Sequence, residues 1–240
     1  MAPGISRLYL YVVRKLDDAN VALELNRWVG QDLTKAASAS FGECEVLPHA
    51  DGMMAAGDEI MTEAAAQGQT LFVSSGDGGG QRCKAYARDG QPRTLHELTY
   101  PCTSKYVVWV GGTSLFTNAD GSYQQELAWH AGGGGTSSFE PRPRWQSCMG
   151  VSDRNTVHGK PDIAMDAGVD TGAVTYVGGD PVELGGTSLS APLALGAWAD
   201  IESAAGDMLG RASELLYRLY PSNSEDEVRR FGLRSDLPSN

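Results

Sequence analysis

Short runs rich in β-branched and aromatic residues alternate along this chain with longer stretches in which apolar residues recur every three or four positions. That alternation is the pattern of a parallel sheet with helices on its faces. Leu8-Tyr9-Leu10-Tyr11-Val12-Val13 predicts a first strand. Asp17 to Ala37 predicts a helix, with Asp17 or Asp18 able to cap it and Leu23, Leu25, Trp28 and Leu33 giving it an apolar side. Ala37 to Gly42 ends a second strand, and Met53 to Gln67 predicts an alanine-rich helix with Asp58, Glu59 and Glu63 facing solvent. Thr70 to Ser75 is a third strand that runs directly into the turn Gly76-Asp77-Gly78-Gly79-Gly80, and Tyr106 to Thr113 is another. From Phe116 to Gln146 the density of turn formers predicts a hairpin and long surface loops, Gly132 to Gly135 among them. Pro161 to Met165 and Ala173 to Val177 add two short strands, and a helix from near Ser188 to Ala205 is stopped by Gly206. Pro221 to Asn240 is polar, and its mixed-charge run Glu225 to Arg230 reads as a solvated helix face.

The expected fold is therefore α/β, a doubly wound and mainly parallel sheet, and 240 residues suffice for one well-cored domain. With 41% hydrophobic and 20% charged residues, the composition is that of a globular chain, and no apolar run is long enough to span a bilayer. The net charge of −11 argues against a nucleic-acid partner, which needs a basic face to neutralise phosphates. An acidic surface also suits a protein working where carboxylates are partly protonated. Cys44, Cys83, Cys102 and Cys148 show no CxxC spacing, which makes a zinc site a poor expectation. They fit either reduced, partly buried thiols or up to two disulfides. For an exported chain the first expectation is Cys83 with Cys102, because a bridge there would tie down what reads as a surface loop. Met1 to Arg7 lacks the apolar core and cleavage pattern of a signal peptide, so either export information lies upstream or the chain is cytoplasmic.

Candidate chemistry centres on Gly185-Gly186-Thr187-Ser188-Leu189-Ser190-Ala191-Pro192. A serine acts as a nucleophile when a base takes its proton and something neutralises the oxyanion formed on the attacked carbonyl. Ser188 follows two glycines at a helix start, where free N–H groups and the helix dipole favour negative charge. A plain helix cap is the competing reading. Asp77 ends a strand in Ser74-Ser75-Gly76-Asp77, at the edge where open α/β sheets place ligands, and a protonated carboxyl can donate a hydrogen bond to an oxyanion. A turn-forming Asx residue is its competing reading. His49, His96, His130 and His158 all fall in loop-like segments and read as surface or loop-stabilising residues. Glu59 and Glu63 share a helix face but precede the Asp77 strand, with no topological route to Ser188.

In combination these segments resemble the sedolisin family of serine-carboxyl peptidases, acid-active relatives of the subtilisins, and its bacterial members in particular. The resemblance is carried, in family order and over nearly the whole chain, by Ala2-Pro3-Gly4, Ser40-Phe41-Gly42, Ser74 to Asp77, Val110 to Leu115, Phe139 to Gln146, Pro161 to Ala164 and Gly186-Thr187-Ser188. It implies a subtilisin-like fold lacking the family's first strand-helix unit and a secreted endopeptidase forming an acyl-enzyme on Ser188, with Asp77 stabilising the oxyanion. Ser40, Phe41 and Gly42 would pair with an extended peptide substrate, and Gly133, Gly134 and Gly135 would form the opposite wall. The family's general base is a glutamate oriented by an aspartate one helical turn later, just before the Ala-Pro-Gly segment. The resemblance thus places both upstream of the sequence given. It also implies a calcium loop opening at Asp236 and Leu237 in the full-length family member. With the remaining ligands beyond them the site is incomplete and this chain is expected to bind no calcium, and a pro-segment is a further expected partner. The alternative to an enzyme is a non-catalytic or truncated relative that binds peptides or partners without cleaving them.

Overall fold

The computed structural model describes residues 2–86, 91–148, 157–159 and 161–219. In chain order the elements are α1 (Asp18–Gln31), β1 (Ala36–Ala39), β2 (Glu43–Cys44), α2 (Val46–Asp51), α3 (Met53–Ala66), β3 (Thr70–Ser74) and β4 (Cys83–Tyr86). Then follow β5 (Pro92–Leu95), β6 (Thr99–Tyr100), β7 (Val108–Thr117), β8 (Tyr123–Ala128), β9 (Thr136–Pro141) and a 3-10 turn (Arg144–Cys148). The last are β10 (Val157–Gly159), β11 (Ile163–Asp166), β12 (Ala173–Val177), β13 (Asp180–Leu184), α4 (Thr187–Ala205) and α5 (Ala212–Leu219).

The main sheet runs β1-β3-β7-β11 with every pairing along that path parallel, and β8 folds back antiparallel on the outer half of β7. Successive residues of a strand point to opposite faces, and both faces of this sheet are apolar. Leu71, Val73 and Trp109 pack against Trp28 and Val29 of α1 and Met61 and Ala64 of α3. Phe72, Val108 and Val110 pack against Ala191, Ala194 and Trp198 of α4 and Ala212 of α5. That is the doubly wound α/β layering expected, with every residue of β3 buried as a central parallel strand requires. Because the strands are parallel, their carboxyl ends collect on one side, and the turns after β1 and β3 emerge there together.

Several sequence expectations change. Residues 8–13 are extended but form no strand: Leu8, Leu10 and Val12 are exposed while Tyr9, Tyr11 and Val13 are half-buried. A two-residue alternation needs a ladder partner to become a strand, and no strand pairs with this run. The helix expected to reach Ala37 stops at Gln31. Asp32 caps it in the left-handed region (φ 47°) and returns its N–H to the Trp28 carbonyl, so the next residues are free to form β1. Its buried side is Trp28 and Val29, and Leu23 and Leu33 are exposed. Asp58 does not face solvent as expected: its Oδ1 accepts hydrogen bonds from Tyr100 (3.2 Å) and Ser104 (2.7 Å). The strand expected over Tyr106 to Thr113 begins at Val108 and extends to Thr117, because β8 pairs with its Thr113–Thr117 half. The segment from Pro221 onward lies outside the described residues.

Candidate functional site

Gly186 (φ 90°) precedes α4 and leaves the first helical amide, that of Thr187, free of any intrahelical acceptor. Asp77 fills that role. Its Oδ1 accepts the Thr187 N–H at 2.8 Å and the Thr187 hydroxyl at 2.7 Å, while the same hydroxyl oxygen accepts the Gly76 N–H at 3.0 Å. The turn after β3 is thereby latched to the start of α4 across 110 residues of sequence. A side chain at 186 could not coexist with this latch, since a Cβ there would lie 2.8 Å from Asp77 Oδ2. One residue on, Ser188 is exposed, and its N–H meets no acceptor among the described residues. Ser190, two residues further, is fully buried and donates between the Met165 and Asp166 carbonyls (3.1 and 3.0 Å), pinning the first turn of α4 to the end of β11.

Ser188 and Asp77 line one cavity of about 270 Å³. It is lined also by Ser40 to Cys44 with the adjacent Thr99, by Ser74, Gly76 and Gly78, and by Arg82, Cys83 and Lys84. The Ser40 hydroxyl donates to the Ser188 carbonyl (3.1 Å), so the Ser40-Phe41-Gly42 segment borders the serine directly. These three residues make no backbone hydrogen bond among the described residues, which leaves their amides and carbonyls free for an extended chain.

Gly133, Gly134 and Gly135 are not among the residues that line this cavity but adjoin the turn that does. The Gly133 N–H donates to the Gly76 carbonyl (2.8 Å) and the Gly134 N–H to the Gly80 carbonyl (3.1 Å), and a Cβ at 133 would overlap the Ser75 carbonyl. The glycine run braces the Asp77 turn from behind and does not line the Ser188 cavity. The resemblance implied this run as the opposite wall of the cleft, and its backbone freedom here allows a close approach to the Ser75 and Gly76 carbonyls.

The expected Cys83–Cys102 bridge is not formed. Cys83 pairs with Cys44, Cα atoms 5.5 Å apart, while Cys102 is buried, donates to the Thr99 carbonyl at 2.7 Å and has its thiol pushed well up by burial. Sequence proximity favoured Cys102, but β2 brings Cys44 alongside β4. Glu43, next to that bridge, is raised to about 7, first by burial and then by its hydrogen bond to the Asp18 carboxyl and the charge of Asp51. Glu45 is completely buried, accepting from the Ser137 hydroxyl (2.6 Å) and the Ser138 N–H (2.7 Å), and burial raises it. His96 and His130 are exposed, as expected, whereas His49, also exposed, lies in α2 and not in a loop, its ring stacked on Phe139 with centroids 3.9 Å apart. His158, expected at the surface or in a loop, is instead a buried residue of β10 with Nδ1 2.7 Å from the Thr103 carbonyl. Glu59 and Glu63 are exposed on α3 and do not border the cavity.

Asp236 and Leu237, the calcium residues expected from the resemblance, lie outside the described residues. Among the described residues no group of three or more His, Cys, Asp or Glu is placed to hold a metal ion, and no helix is long and apolar enough to cross a membrane.

Comparison with known proteins bears on what this cleft belongs to. A family model described as the subtilase family matches residues 6–224. The chain belongs to the subtilase family. Within it, sedolisin of Pseudomonas sp. strain 101 is 36% identical over 228 residues, covering 89% of this chain and 38% of that protein. Xanthomonalisin of Xanthomonas sp. strain T-22 is 32% identical, covering 93% of this chain and 31% of its own length. The subtilase fold itself is matched by a solved Pseudomonas sedolisin, a serine-carboxyl proteinase complexed with two molecules of pseudo-iodotyrostatin. That structure superposes with a TM-score of 0.76 at 36% identity, over 87% of this chain and 58% of the other. The resemblance to the sedolisins and the subtilisin-like α/β fold both stand on these matches. The present chain spans about a third of the length of its two curated relatives.

The sequence motif pointed to Ser188 and Asp77 but not to their connector. Thr187 is the residue that sequence reasoning passed over, and its signal was in view: a hydroxyl residue between an obligate glycine and the serine. Arg82, Lys84 and Glu43 carried no local signal, because they reach the cavity only through pairings made far away in sequence.

Proposed function

We propose that this chain forms the nucleophile and oxyanion side of a serine-type endopeptidase that cleaves peptide bonds under acidic conditions. The observation that carries the proposal is the shared cavity: Ser188 opens onto the same space as the Asp77 carboxyl, with an unpaired extended segment beside both. In this reading the Ser188 hydroxyl adds to the substrate carbonyl and its proton passes to a base. The oxyanion is held by the Ser188 N–H at the helix start and by a protonated Asp77. Both Thr187 hydrogen bonds fall on Asp77 Oδ1, so the proton offered to the oxyanion is assigned to Oδ2. Collapse of the adduct expels the amine, which leaves with a proton, and water then hydrolyses the ester on Ser188. The base is assigned to a glutamate-aspartate pair upstream of Ala2. The Cys44–Cys83 bridge supports export to an oxidising compartment.

A second reading is a relative that binds peptides without cleaving them. It is favoured by the absence, among the described residues, of any base hydrogen-bonded to the Ser188 hydroxyl. One experiment separates the two: treatment with a peptide aldehyde near pH 4 of the chain as given, of Ser188→Ala, and of a form extended upstream. Capture by the extended form and its loss in Ser188→Ala support the enzyme. Binding that survives Ser188→Ala unchanged in both lengths supports the peptide-binding reading and ends the nucleophile assignment.

A further inference from the structure

The cavity beside Ser188 is electrostatically lopsided in a chain that carries 30 acidic residues against 19 basic ones. Cys83 opens β4 and is bonded to Cys44, and the cationic residues on either side of it are Arg82 and Lys84. Both line the cavity. The bridge holds this strand against β2, and the turn from Gly78 closes so tightly that a Cβ there would lie 2.7 Å from the Arg82 carbonyl. The backbone that carries both cations is thus fixed at the cavity by covalent and steric constraints, and neither side chain has a hydrogen-bond or ion-pair partner among the described residues.

Neither cation forms an ion pair with the cavity's own carboxyls, Asp77 and Glu43, among the described residues, and Glu43 is raised to about 7 by burial and by the neighbouring Asp18 carboxyl. A chain laid along Ser40 to Gly42 with its carbonyl at Ser188 would send the side chain of that same residue into the space between the 40–44 and 74–78 segments, toward Arg82 and Lys84. We infer that these two residues determine specificity, selecting a substrate whose residue at the attacked carbonyl is acidic. Opposite charge in a cleft that a bound chain covers favours the matching side chain and penalises a basic one, which would meet two like charges. The inference rests on Ser188 being the nucleophile of the proposed peptidase.

Its test uses dye-labelled peptide aldehydes that differ only in the last residue, Glu, Gln, Leu or Lys. Capture is followed by fluorescence anisotropy at pH 5.5, on both the chain as given and the upstream-extended form. The glutamate peptide should be held roughly tenfold tighter than its glutamine isostere, with lysine weakest. Lowering the pH to 3, where the peptide carboxyl is protonated, should erase the Glu–Gln difference. Arg82→Gln with Lys84→Gln should bring the Glu-to-Gln ratio toward one. Arg82→Glu with Lys84→Glu should invert the order in favour of lysine, a result that partial unfolding cannot produce. Equal capture of the Glu and Gln peptides by the wild-type chain, with the Leu peptide still captured in a Ser188-dependent manner, overturns the specificity inference alone. Capture of none of the four by either form removes the nucleophile reading with it.

Discussion

Thr187 joins three parts of the cleft through one hydroxyl: it donates to Asp77, accepts from Gly76 and sits beside Ser188. A hydrogen bond to a carboxylate contributes about 1.5–3 kcal/mol, and a buried N–H left without an acceptor costs about 1–3 kcal/mol. Thr187→Val keeps the side-chain shape but removes both interactions, so it should lower the melting temperature and cut peptide-aldehyde capture about tenfold. Thr187→Ser, which restores the hydroxyl, should recover most of both. Thermal melts and anisotropy on the three proteins make the comparison, and capture by the valine variant at wild-type strength would show that Asp77 is not held by this latch. At this scale the placing of the serine and the carboxyl was legible, since Ser188 follows Gly186-Thr187 at a helix start and Asp77 lies between two glycines after a strand end. The threonine's partner lies 110 positions away, and no local pattern announces it.

Among the elements, β4 owes its place at the cleft to a covalent tie. The Cys44–Cys83 bridge closes a separation of 39 residues, a span for which loop-closure entropy gives about 3–4 kcal/mol of stabilisation. Cys44→Ser with Cys83→Ser should therefore lower the denaturant midpoint of a chain that still folds around β1-β3-β7-β11, and it should weaken any preference for acidic peptides by freeing Arg82 and Lys84. Urea titrations with and without reductant measure the first effect. Identical midpoints would show that β4 and β2 are held by packing alone. The helices and inner strands were legible because their burial pattern follows directly from sheet geometry: α3 and β3 begin at the expected residues, and α4 begins one residue before Ser188. Residues 8–13 show the converse. An alternating run states which residues would share a face, but a strand exists only where another strand accepts its hydrogen bonds.

Over the whole molecule, several carboxyls are set to hold protons. Glu140, 4% exposed on β9, is raised to about 8, first by burial and then by the charge and hydrogen bond of Asp58, with Lys105 and His158 acting in the opposite sense. Glu43 is raised to about 7. His158 titrates above its ordinary value, since burial opposes its charge but Asp162 and the Thr103 carbonyl outweigh it. For an acid raised on folding, the folded state binds the proton more tightly than the unfolded chain. The resulting stabilisation is complete below the unfolded value of about 4.5 and is lost as pH rises through about 7 to 8. His158 adds a loss of the same sign. Melting temperature should accordingly be highest near pH 4 and fall steadily to pH 8, and Glu140→Gln should flatten that fall. A melting temperature that rises between pH 5 and pH 8 would contradict this account.

The alternation of apolar runs determined the layered α/β class. The glycine-serine and glycine-aspartate motifs determined which two side chains stand at the carboxyl edge of the sheet. Both are short-range facts, fixed by residue periodicity and by the backbone freedom that glycine alone supplies. Only the tertiary structure decided that Cys44 and not Cys102 meets Cys83, that Gly133 to Gly135 brace the Asp77 turn, and that Arg82 and Lys84 line the cleft. Those outcomes depend on which distant segments the packed sheet brings within bonding distance, and a chain's local pattern carries no record of that.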